Sequence, residues 1–239
     1  ASSAHILFHA EKEGDDFIPT EFRARKSFQY HWAKRDHWDC FEDYLGDMRS
    51  SSRKMVRRER RIAQSHNLRL RALRGPELTK SHWKALWEFY RRTTYFKGAI
   101  PYLSESFFSY LETHLSNYVV ATFAENDAEP VAGALFFSDG DSLFGRYWGT
   151  KLHLDCLHFE LCYYLPIEWA IQNGISRFEA GAQGDHKLKR GFLPNTCYSA
   201  HWVEHLGLAE SVYNFLKREA AGIDSAIAQI GAHSPFKER

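Results

Sequence analysis

The order of secondary-structure signals between residues 118 and 179 constrains the fold more than any other feature. Strand-like runs at 118–123, 131–137 and 142–148 are joined by short connections rich in turn-forming residues, which favours an antiparallel meander. An amphipathic helix from about 154 to 173 and a strand at 175–179 follow. This order predicts an α+β fold with a mixed, mostly antiparallel central sheet flanked by helices.

The remaining elements follow from the same periodicities. Pro166 lies inside the long predicted helix, and we expect it to kink or split that helix because proline lacks a backbone N–H. Ser50, Ser51 and Ser52 are candidate N-cap residues for a basic helix from 53 to about 65. Upstream, the patterns predict strands at 5–8, 27–32 and 68–73 and further helices at 41–48, 79–97 and 104–115.

The composition indicates a globular protein whose rings do more than fill a core. Apolar residues make up 44% of the chain and aromatic residues 15%, so we expect large rings to line a cleft as well. There is no apolar run of about 18 residues or more, so no transmembrane segment is predicted. The four cysteines form no C-x-x-C pair, which indicates a reducing, cytoplasmic location.

A basic block lies between residues 49 and 74, where ten Lys and Arg residues stand against one acid, Glu59. On a chain with a net charge of +1, such a block is typical of a site for an anion such as RNA, a nucleotide or a phospholipid-linked substrate. The alternative is a solvated basic helix with acidic neighbours in space. The predicted anion-binding residues are Arg53, Lys54, Arg57, Arg58 and Arg61.

A glycine-rich basic loop follows the last strand of the meander–helix–strand unit. Gly181 and Gly184 allow a close approach of the backbone to a ligand. Lys187, Lys189 and Arg190 add cations just beyond a strand end, where ligands commonly bind. Arg can hold a phosphate with two parallel hydrogen bonds and Lys contributes a point charge, so we predict substrate or phosphate binding here.

Several segments together resemble the FemAB-like group of the GNAT (acyl-CoA N-acyltransferase) superfamily, and the similarity runs from about residue 2 to residue 216. They are GRYWG at 145–149, LHFELCYY at 157–164, RFEAGAQGDHKLKRGF at 177–192 and YSAHW at 198–202. The resemblance implies a GNAT-like fold and a non-metal enzyme that transfers an acyl or aminoacyl group to an amine, with a peptidoglycan precursor as the acceptor. It also implies that Lys187, Arg190, Gly191 and Phe192 hold the phosphates of the precursor.

The resemblance also bears on the donor and on the domains. The acetyl-CoA loop, Arg/Gln-x-x-Gly-x-Gly/Ala, is absent, because the stretch from Arg146 to Lys151 lacks its second glycine. We therefore expect no tightly bound cofactor and a donor such as aminoacyl-tRNA or another acyl-CoA. Since FemAB relatives have two GNAT-like halves, residues 1–35 are interpreted as the remnant of a preceding half, 36–222 as an acyltransferase domain and 223–239 as a tail.

Acyl transfer to an amine needs a proton acceptor and a stabiliser for the oxyanion. Glu179 and His186 are the predicted base or relay, with Asp185 as a third candidate. Glu179 could instead pair with Arg146 or Lys187, and His186 could only hold its loop. We expect strands 142–148 and 175–179 to splay, exposing backbone groups to the acyl arm.

Further substrate contacts are predicted around the splayed strands, with ordinary helix packing as the alternative for the last two: Arg146, Tyr147, Trp148, His158 and Glu160. His158 and Cys162 are spaced for a shared ligand on one helix face, but no convincing third ligand accompanies them, so no metal is predicted. The competing function is a non-catalytic module that binds a cell-wall precursor or RNA.

Overall fold

The computed structural model describes residues 1–9, 18–127, 129–181 and 184–237, without the side chain of Asp185. The chain forms two compact units, each built from separate stretches of sequence. The terminal unit comprises residues 1–31 and 182–234, and the central unit comprises residues 32–181 and 235–239. The predicted boundaries at 35/36 and 222/223 do not coincide with this division, and the assignment of 1–35 to a preceding half stays a prediction.

The described elements alternate helices and strands along the chain. In order they are β1 (Ser3–His9), β2 (Arg23–Ala33), α1 (Phe41–Asp47), α2 (Ser50–Gln64), β3 (Arg69–Arg74), α3 (Lys80–Phe96), α4 (Glu105–His114), β4 (Val119–Asn126), β5 (Glu129–Ser138), β6 (Ser142–Thr150), α5 (Leu157–Phe159), a π-helical segment (Glu160–Tyr164), α6 (Leu165–Gln172), β7 (Arg177–Glu179), β8 (Leu193–Val203) and α7 (Leu206–Gly231). Among these helices, none is long and apolar enough to cross a membrane.

The central unit contains the predicted meander. Its strands lie in the order β7-β6-β5-β4-β3; neighbours from β3 to β6 are antiparallel, and β6 and β7 are parallel. Alternate side chains of the strands supply two apolar layers. One contains Phe123 and Leu135 against α3 and α4; the other contains Ala124 and Ala132 against Leu157 and Leu161. The α+β fold expected from the sequence, with a mixed, mostly antiparallel sheet flanked by helices, is confirmed.

Helix α3 packs on the sheet through the apolar stripe that its sequence predicts. Thr79 is its N-cap and accepts a hydrogen bond from the His82 backbone N–H at 3.4 Å. Trp83, Leu86 and Phe89 are buried in the resulting layer. Gly149 of β6 permits the close contact, because a Cβ at that position would lie 2.4 Å from the Phe89 carbonyl oxygen.

The long helix after the meander is divided, as Pro166 predicts. The Leu165 N–H donates to the Glu160 carbonyl, which is the wider π-helical spacing. The Leu161 carbonyl that this shift leaves without its usual helical donor accepts from the buried Thr122 hydroxyl of β4 at 2.6 Å. The π-helical segment is therefore stabilised in two ways. Pro166 has no N–H to donate, and a side chain of the sheet bonds to the carbonyl group that is left without a helical donor.

Helix α2 begins earlier than the sequence indicates. Its N-cap is Arg49 and its first turn contains Ser50, Ser51 and Ser52, so the prediction of a serine N-cap is wrong. The backbone N–H of Arg49 donates a hydrogen bond to the Pro235 carbonyl at 2.7 Å, and its Nε–H donates to the Phe236 carbonyl at 3.1 Å. Contacts with this later segment, rather than a serine hydroxyl, fix where the helix starts.

The terminal unit is a small antiparallel sheet with one long helix. Its strands lie in the order β1-β8-β2, and Arg25 of β2 pairs with Glu219 of α7 through two hydrogen bonds of 2.7 Å. The helix runs through the expected tail boundary to Gly231, with Ile223 buried. Phe236, in the central unit, is buried against Trp38 and Tyr44.

We predict that Gly149→Ala destabilises the folded chain by at least about 2 kcal/mol, because the added methyl group meets the α3 backbone rather than a movable side chain. The free energy of unfolding, measured by urea denaturation, tests this. Gly46→Ala is the matched control: nothing lies within 4 Å of its Cβ position, and removing a helical glycine stabilises by roughly 0.5–1 kcal/mol. Equal stability of wild type and Gly149→Ala would contradict the close packing of α3 on β6.

Candidate active site

The two parallel strands of the central unit part after three residue pairs. Ser142, Leu143 and Phe144 of β6 pair with Arg177, Phe178 and Glu179 of β7. Beyond Phe144, β6 continues for six residues to Thr150, whereas β7 ends at Glu179. The pairing therefore ends where the splay was expected, and within the residues that the structure describes one edge of β6 has no partner strand along these six residues.

A β-bulge lies at the same point. Leu135 is opposite Tyr147 and Phe136 is opposite Gly145, so Arg146 is the extra residue on β6. A bulge bends its strand and increases the local twist, so β6 bends just beyond its last pair with β7. The bulge and the end of pairing together make the opening.

A cavity of about 470 Å³ occupies this opening. Its walls come from β6, from Ala180 and Gly181 after β7, from the C-terminal half of α3 with the following loop, and from the α5 and π-helical segment. Four predicted substrate contacts line it together: Arg146, Tyr147, Trp148 and His158. The sequence places the first three on one strand and His158 on the following helix, and the opening of the sheet brings both elements to one cavity.

Three tyrosines on the α3 side form a hydrogen-bonded cluster. The Tyr90 hydroxyl accepts from the backbone N–H groups of Tyr102 and Leu103 at 2.9 and 3.1 Å. The Tyr102 and Tyr147 hydroxyls are 2.5 Å apart. Burial, and then the hydrogen bond with Tyr102, raise the pKa of Tyr147. Tyr147 therefore stays protonated at neutral pH and remains a hydrogen-bond donor at the cavity wall.

The opposite wall is aromatic and carries a thiol. The rings of Trp148 and His158 meet edge to face at 5.2 Å, and His158 meets Tyr163 at 5.6 Å. Cys162 lies between His158 and Tyr163 in the sequence and also lines the cavity. In the part of the chain that the structure describes, no three His, Cys, Asp or Glu side chains are grouped to hold a metal ion.

Glu179 adjoins the opening without lining the cavity. Its Oε1 atom is 3.3 Å from the Nε atom of Arg177, which forms an ion pair with it, and a pairing with Arg146 or Lys187 stays a prediction. Burial raises the pKa of Glu179, and the charges of Arg177 and Arg146 oppose that rise. A carboxylate with a raised pKa is a better proton acceptor than a fully solvated one.

The glycine-rich basic loop belongs to the terminal unit, and its cations are mostly turned inward. Residues Asp185–Arg190 form a 3₁₀-helix, in which Lys187 is 3% and Arg190 2% exposed. Phe192 is fully buried, and Lys189 alone of the three predicted cations is exposed. Lys187 and Arg190 therefore do not offer their charges at the surface, and their role in substrate or phosphate binding stays a prediction.

The two other predicted catalytic residues lie in this loop. His186 packs its ring on Gly184, where an added Cβ would be 2.4 Å from the ring, and its carbonyl accepts from the Arg190 guanidinium at 2.7 Å. These contacts match the alternative in which His186 holds the loop. The side chain of Asp185 lies outside the described residues, as do Ala182 and Gln183 of the motif.

Glu160 is placed differently from its prediction as a substrate contact. Its side chain is 1% exposed and accepts hydrogen bonds of 2.9 to 3.2 Å from Arg60 of α2. Arg60 also bridges to Glu168 at 2.6 Å and lies over the Phe41 ring at 4.4 Å. Glu160 therefore serves an interhelical ion pair and does not line the cavity.

The basic block shows features of both interpretations. Arg57 pairs with Glu42 at 2.6 Å and Arg60 with two buried or half-buried acids, as the solvated-helix alternative expects. Within the described residues, four other predicted anion-binding side chains of α2 make no ion pair and are exposed or partly exposed: Arg53, Lys54, Arg58 and Arg61. Lys54 and Arg58 border a second cavity of about 580 Å³ beside Cys156 and Phe159.

Several cavity residues were missed by sequence reasoning. Tyr90 packs its ring in the buried layer of α3, and its hydroxyl also organises the loop at the cavity. Lys97 is the last residue of the helix predicted at 79–97, and Tyr102 follows it in a segment that matches no strong helix or strand pattern. The large apolar residues of that segment, which connects two amphipathic helices, were the sequence signal available for a cavity wall.

The sequence matches the model of a known protein family over almost its whole length. The model of the FemAB-like family, described as peptidoglycan biosynthesis/recognition, matches residues 1–238. The chain therefore belongs to the FemAB-like family. No curated protein matches the sequence significantly.

Solved structures show the same fold at low sequence identity. A C-terminal domain from Agrobacterium fabrum, described as part of a lysylphosphatidylglycerol synthetase, superposes with a TM-score of 0.57 and 8% identity, covering 92% of this chain and 72% of that one. L-PGS from Bacillus licheniformis gives 0.52 and 11%, covering 89% and 72%. FemX gives 0.51 and 11%, covering 89% and 68%.

The buried ion pair yields a stability prediction. Arg60→Ala leaves Glu160 charged and buried without its partner, so we expect a loss of about 3 kcal/mol near pH 8. Burial already raises the pKa of Glu160, and without Arg60 the pKa rises further. In the variant the carboxyl therefore becomes protonated as the pH falls from 8 towards 5. The loss of stability should shrink over that range, because less charge is then buried without a partner.

Urea denaturation at both pH values measures this effect. Arg57→Ala is the matched control on the same helix, because its partner Glu42 is 65% exposed and such pairs contribute roughly 0–1 kcal/mol. A loss for Arg60→Ala that is as small as the control, or equal at both pH values, contradicts a structural role for Glu160.

Proposed function

We propose that the chain is an N-acyltransferase that moves an acyl or aminoacyl group onto an amine acceptor in the cavity of the central unit. The observation that carries this proposal is the parting of β6 and β7 beside the bulge at Arg146. Membership of the FemAB-like family supports the same reaction class.

The unpaired edge of β6 suits the acyl arm of a donor. Main-chain N–H and C=O groups without a partner strand bind an extended ligand as an added strand does. A backbone N–H on that edge also polarises the acyl carbonyl and stabilises the oxyanion as it forms. The six residues from Gly145 to Thr150 give this edge its length.

The reaction needs one new bond and two proton movements. The amine nitrogen attacks the acyl carbonyl carbon, an N–C bond forms, and the C–O bond of an ester donor or the C–S bond of a thioester breaks. Glu179 accepts the amine proton, directly or through one water molecule, which its raised pKa favours. As the C–O or C–S bond breaks, Glu179 returns this proton to the departing oxygen or sulfur, directly or through one water molecule. Tyr147 stays protonated and only donates a hydrogen bond to that departing atom.

The substrate classes come from the family and the sequence together. A peptidoglycan-precursor-like amine is the proposed acceptor, since the family is described by peptidoglycan biosynthesis/recognition and FemX shares the fold. Aminoacyl-tRNA is favoured as the donor over acetyl-CoA because the acetyl-CoA loop is missing from residues 146–151. We place the reaction in the cytoplasm, where free cysteines persist.

A non-catalytic binding module is the competing function. The observation that favours it is the position of the Glu179 side chain, which adjoins the cavity but does not line it. Lys187 and Arg190 are also buried rather than exposed to a precursor. The two functions differ in whether a covalent product forms.

Mass spectrometry of amine acceptors incubated with charged tRNA or acyl-CoA tests the proposal. We expect a product whose rate rises with pH through the raised pKa of Glu179, since only the deprotonated carboxylate accepts a proton. Glu179→Gln should lower kcat by roughly 100-fold, abolish that rise and leave the affinity for the acceptor unchanged.

Glu210→Gln is the control, because Glu210 is an exposed carboxylate on α7. Absence of product with every donor, together with tight binding of an acceptor, would establish the binding module instead. Full turnover by Glu179→Gln would exclude Glu179 as the base while leaving the reaction class intact.

A further inference from the structure

A group of exposed apolar side chains surrounds the mouth of the cavity. Three of them are exposed to an extent unusual for large apolar residues: Phe96 is 85%, Ile100 87% and Tyr102 76% exposed. Two further members are more than two-fifths exposed. The mouth patch, as defined here, consists of Tyr95, Phe96, Ile100, Tyr102 and Leu152.

The mouth patch is continuous with the cavity at the parted strands and with another cavity that adjoins it. Tyr102 lines the first cavity, and Tyr95, Phe96 and Leu152 line a neighbouring cavity of about 800 Å³. The two cavities share wall residues from α3, β6 and α5: Thr93, Lys97, Trp148 and His158. Whatever covers the patch therefore lies at the entrance used by a substrate.

The charges around the patch are positive. Within the described residues, Arg91, Arg92 and Lys97 are exposed and make no ion pair with an acid. Arg91 lies over the Tyr95 ring at 5.7 Å. Among the residues that the structure describes, Asp155 is the one acidic residue that lines either cavity, against the cations Arg92, Lys97 and Arg146. A partner that covers apolar side chains and also carries negative charge fits this surface.

We propose that the mouth patch rests on the surface of an anionic lipid bilayer. Phe96, Ile100 and Leu152 would enter the boundary between headgroups and acyl chains. Tyr95 and Tyr102 carry an apolar ring and a polar hydroxyl, which suits the headgroup level. The cations would lie among anionic headgroups. The cavity then opens towards the membrane, a property independent of whether acyl transfer occurs.

The chemistry of the patch favours a bilayer over a nucleic acid. RNA would be held by stacking of bases on aromatic faces and by phosphate contacts. Ile100, the most exposed member, and Leu152 have no aromatic face on which a base could stack. An apolar surface with a cationic rim is what interfacial membrane binding requires.

Co-sedimentation of the full chain with vesicles tests the proposal directly. Vesicles of phosphatidylglycerol and phosphatidylcholine in equal amounts should bind the protein, and vesicles of phosphatidylcholine alone should bind it more weakly. Phe96→Asp with Ile100→Asp should lower binding at least about tenfold, since burial of either side chain contributes that much. Arg92→Gln should lower binding to the anionic vesicles alone, by about fivefold.

The matched control places the same charges on exposed apolar residues elsewhere. Leu206→Asp with Leu208→Asp changes side chains that are 85% and 56% exposed on α7, and its binding should equal that of the wild type. Circular dichroism checks that each variant is folded.

Three results would overturn the proposal. One is failure of the wild type to bind anionic vesicles at low salt. Another is equal binding by the mouth-patch variant. The third is an oligomer or an RNA complex that the mouth-patch variant disrupts while vesicles bind neither protein. Because no step of the assay depends on turnover, its failure is distinct from failure of the proposed reaction.

Discussion

The short parallel pairing between β6 and β7 is the constraint on which the candidate site depends. Three residue pairs hold the strands together and end at Phe144 and Glu179. Had the pairing continued, the backbone groups of β6 from Gly145 onward would bond to a strand and no cavity could form there. The bulge at Arg146 bends β6 just beyond its last pair with β7. The cavity is thus a consequence of sheet geometry, and the side chains give it chemistry.

The two walls of the cavity are fixed by separate backbone devices. On one side, Gly149 lets α3 approach β6 closely, which brings Tyr90 and Tyr147 into ring contact at 4.7 Å. On the other side, Pro166 and the Thr122 hydroxyl stabilise a π-helical segment. That segment carries Cys162 and Tyr163 to the cavity. Wider helical spacing of this kind is frequent at functional sites.

Much of the fold followed from the sequence because its signals are local. The meander, α3 and the division at Pro166 each depend on residues close to one another in the chain. The grouping of Arg146, Tyr147, Trp148 and His158 was also anticipated, because residues flanking a splayed strand share its opening.

The remaining features depend on contacts between distant residues. Arg60 and Glu160 are 100 positions apart, so nothing near Glu160 shows that it is buried. Lys187 and Arg190 match a loop that usually implies an exposed cation, and only tertiary packing turns them inward. The two units are built from interleaved stretches of chain, a division that composition along the sequence cannot reveal. Tyr90 carries the pattern of a core residue, and its second role at the cavity leaves no separate signal.

A crystal structure of the chain with a non-transferable donor analogue, its ester or thioester replaced by an amide, tests the central claim most directly. We expect density for the acyl group in the cavity, with its carbonyl oxygen within hydrogen-bonding distance of a β6 backbone N–H between Gly145 and Trp148. Density for the analogue only elsewhere, such as beside Lys54 and Arg58 on α2, with β6 uncontacted, would contradict it.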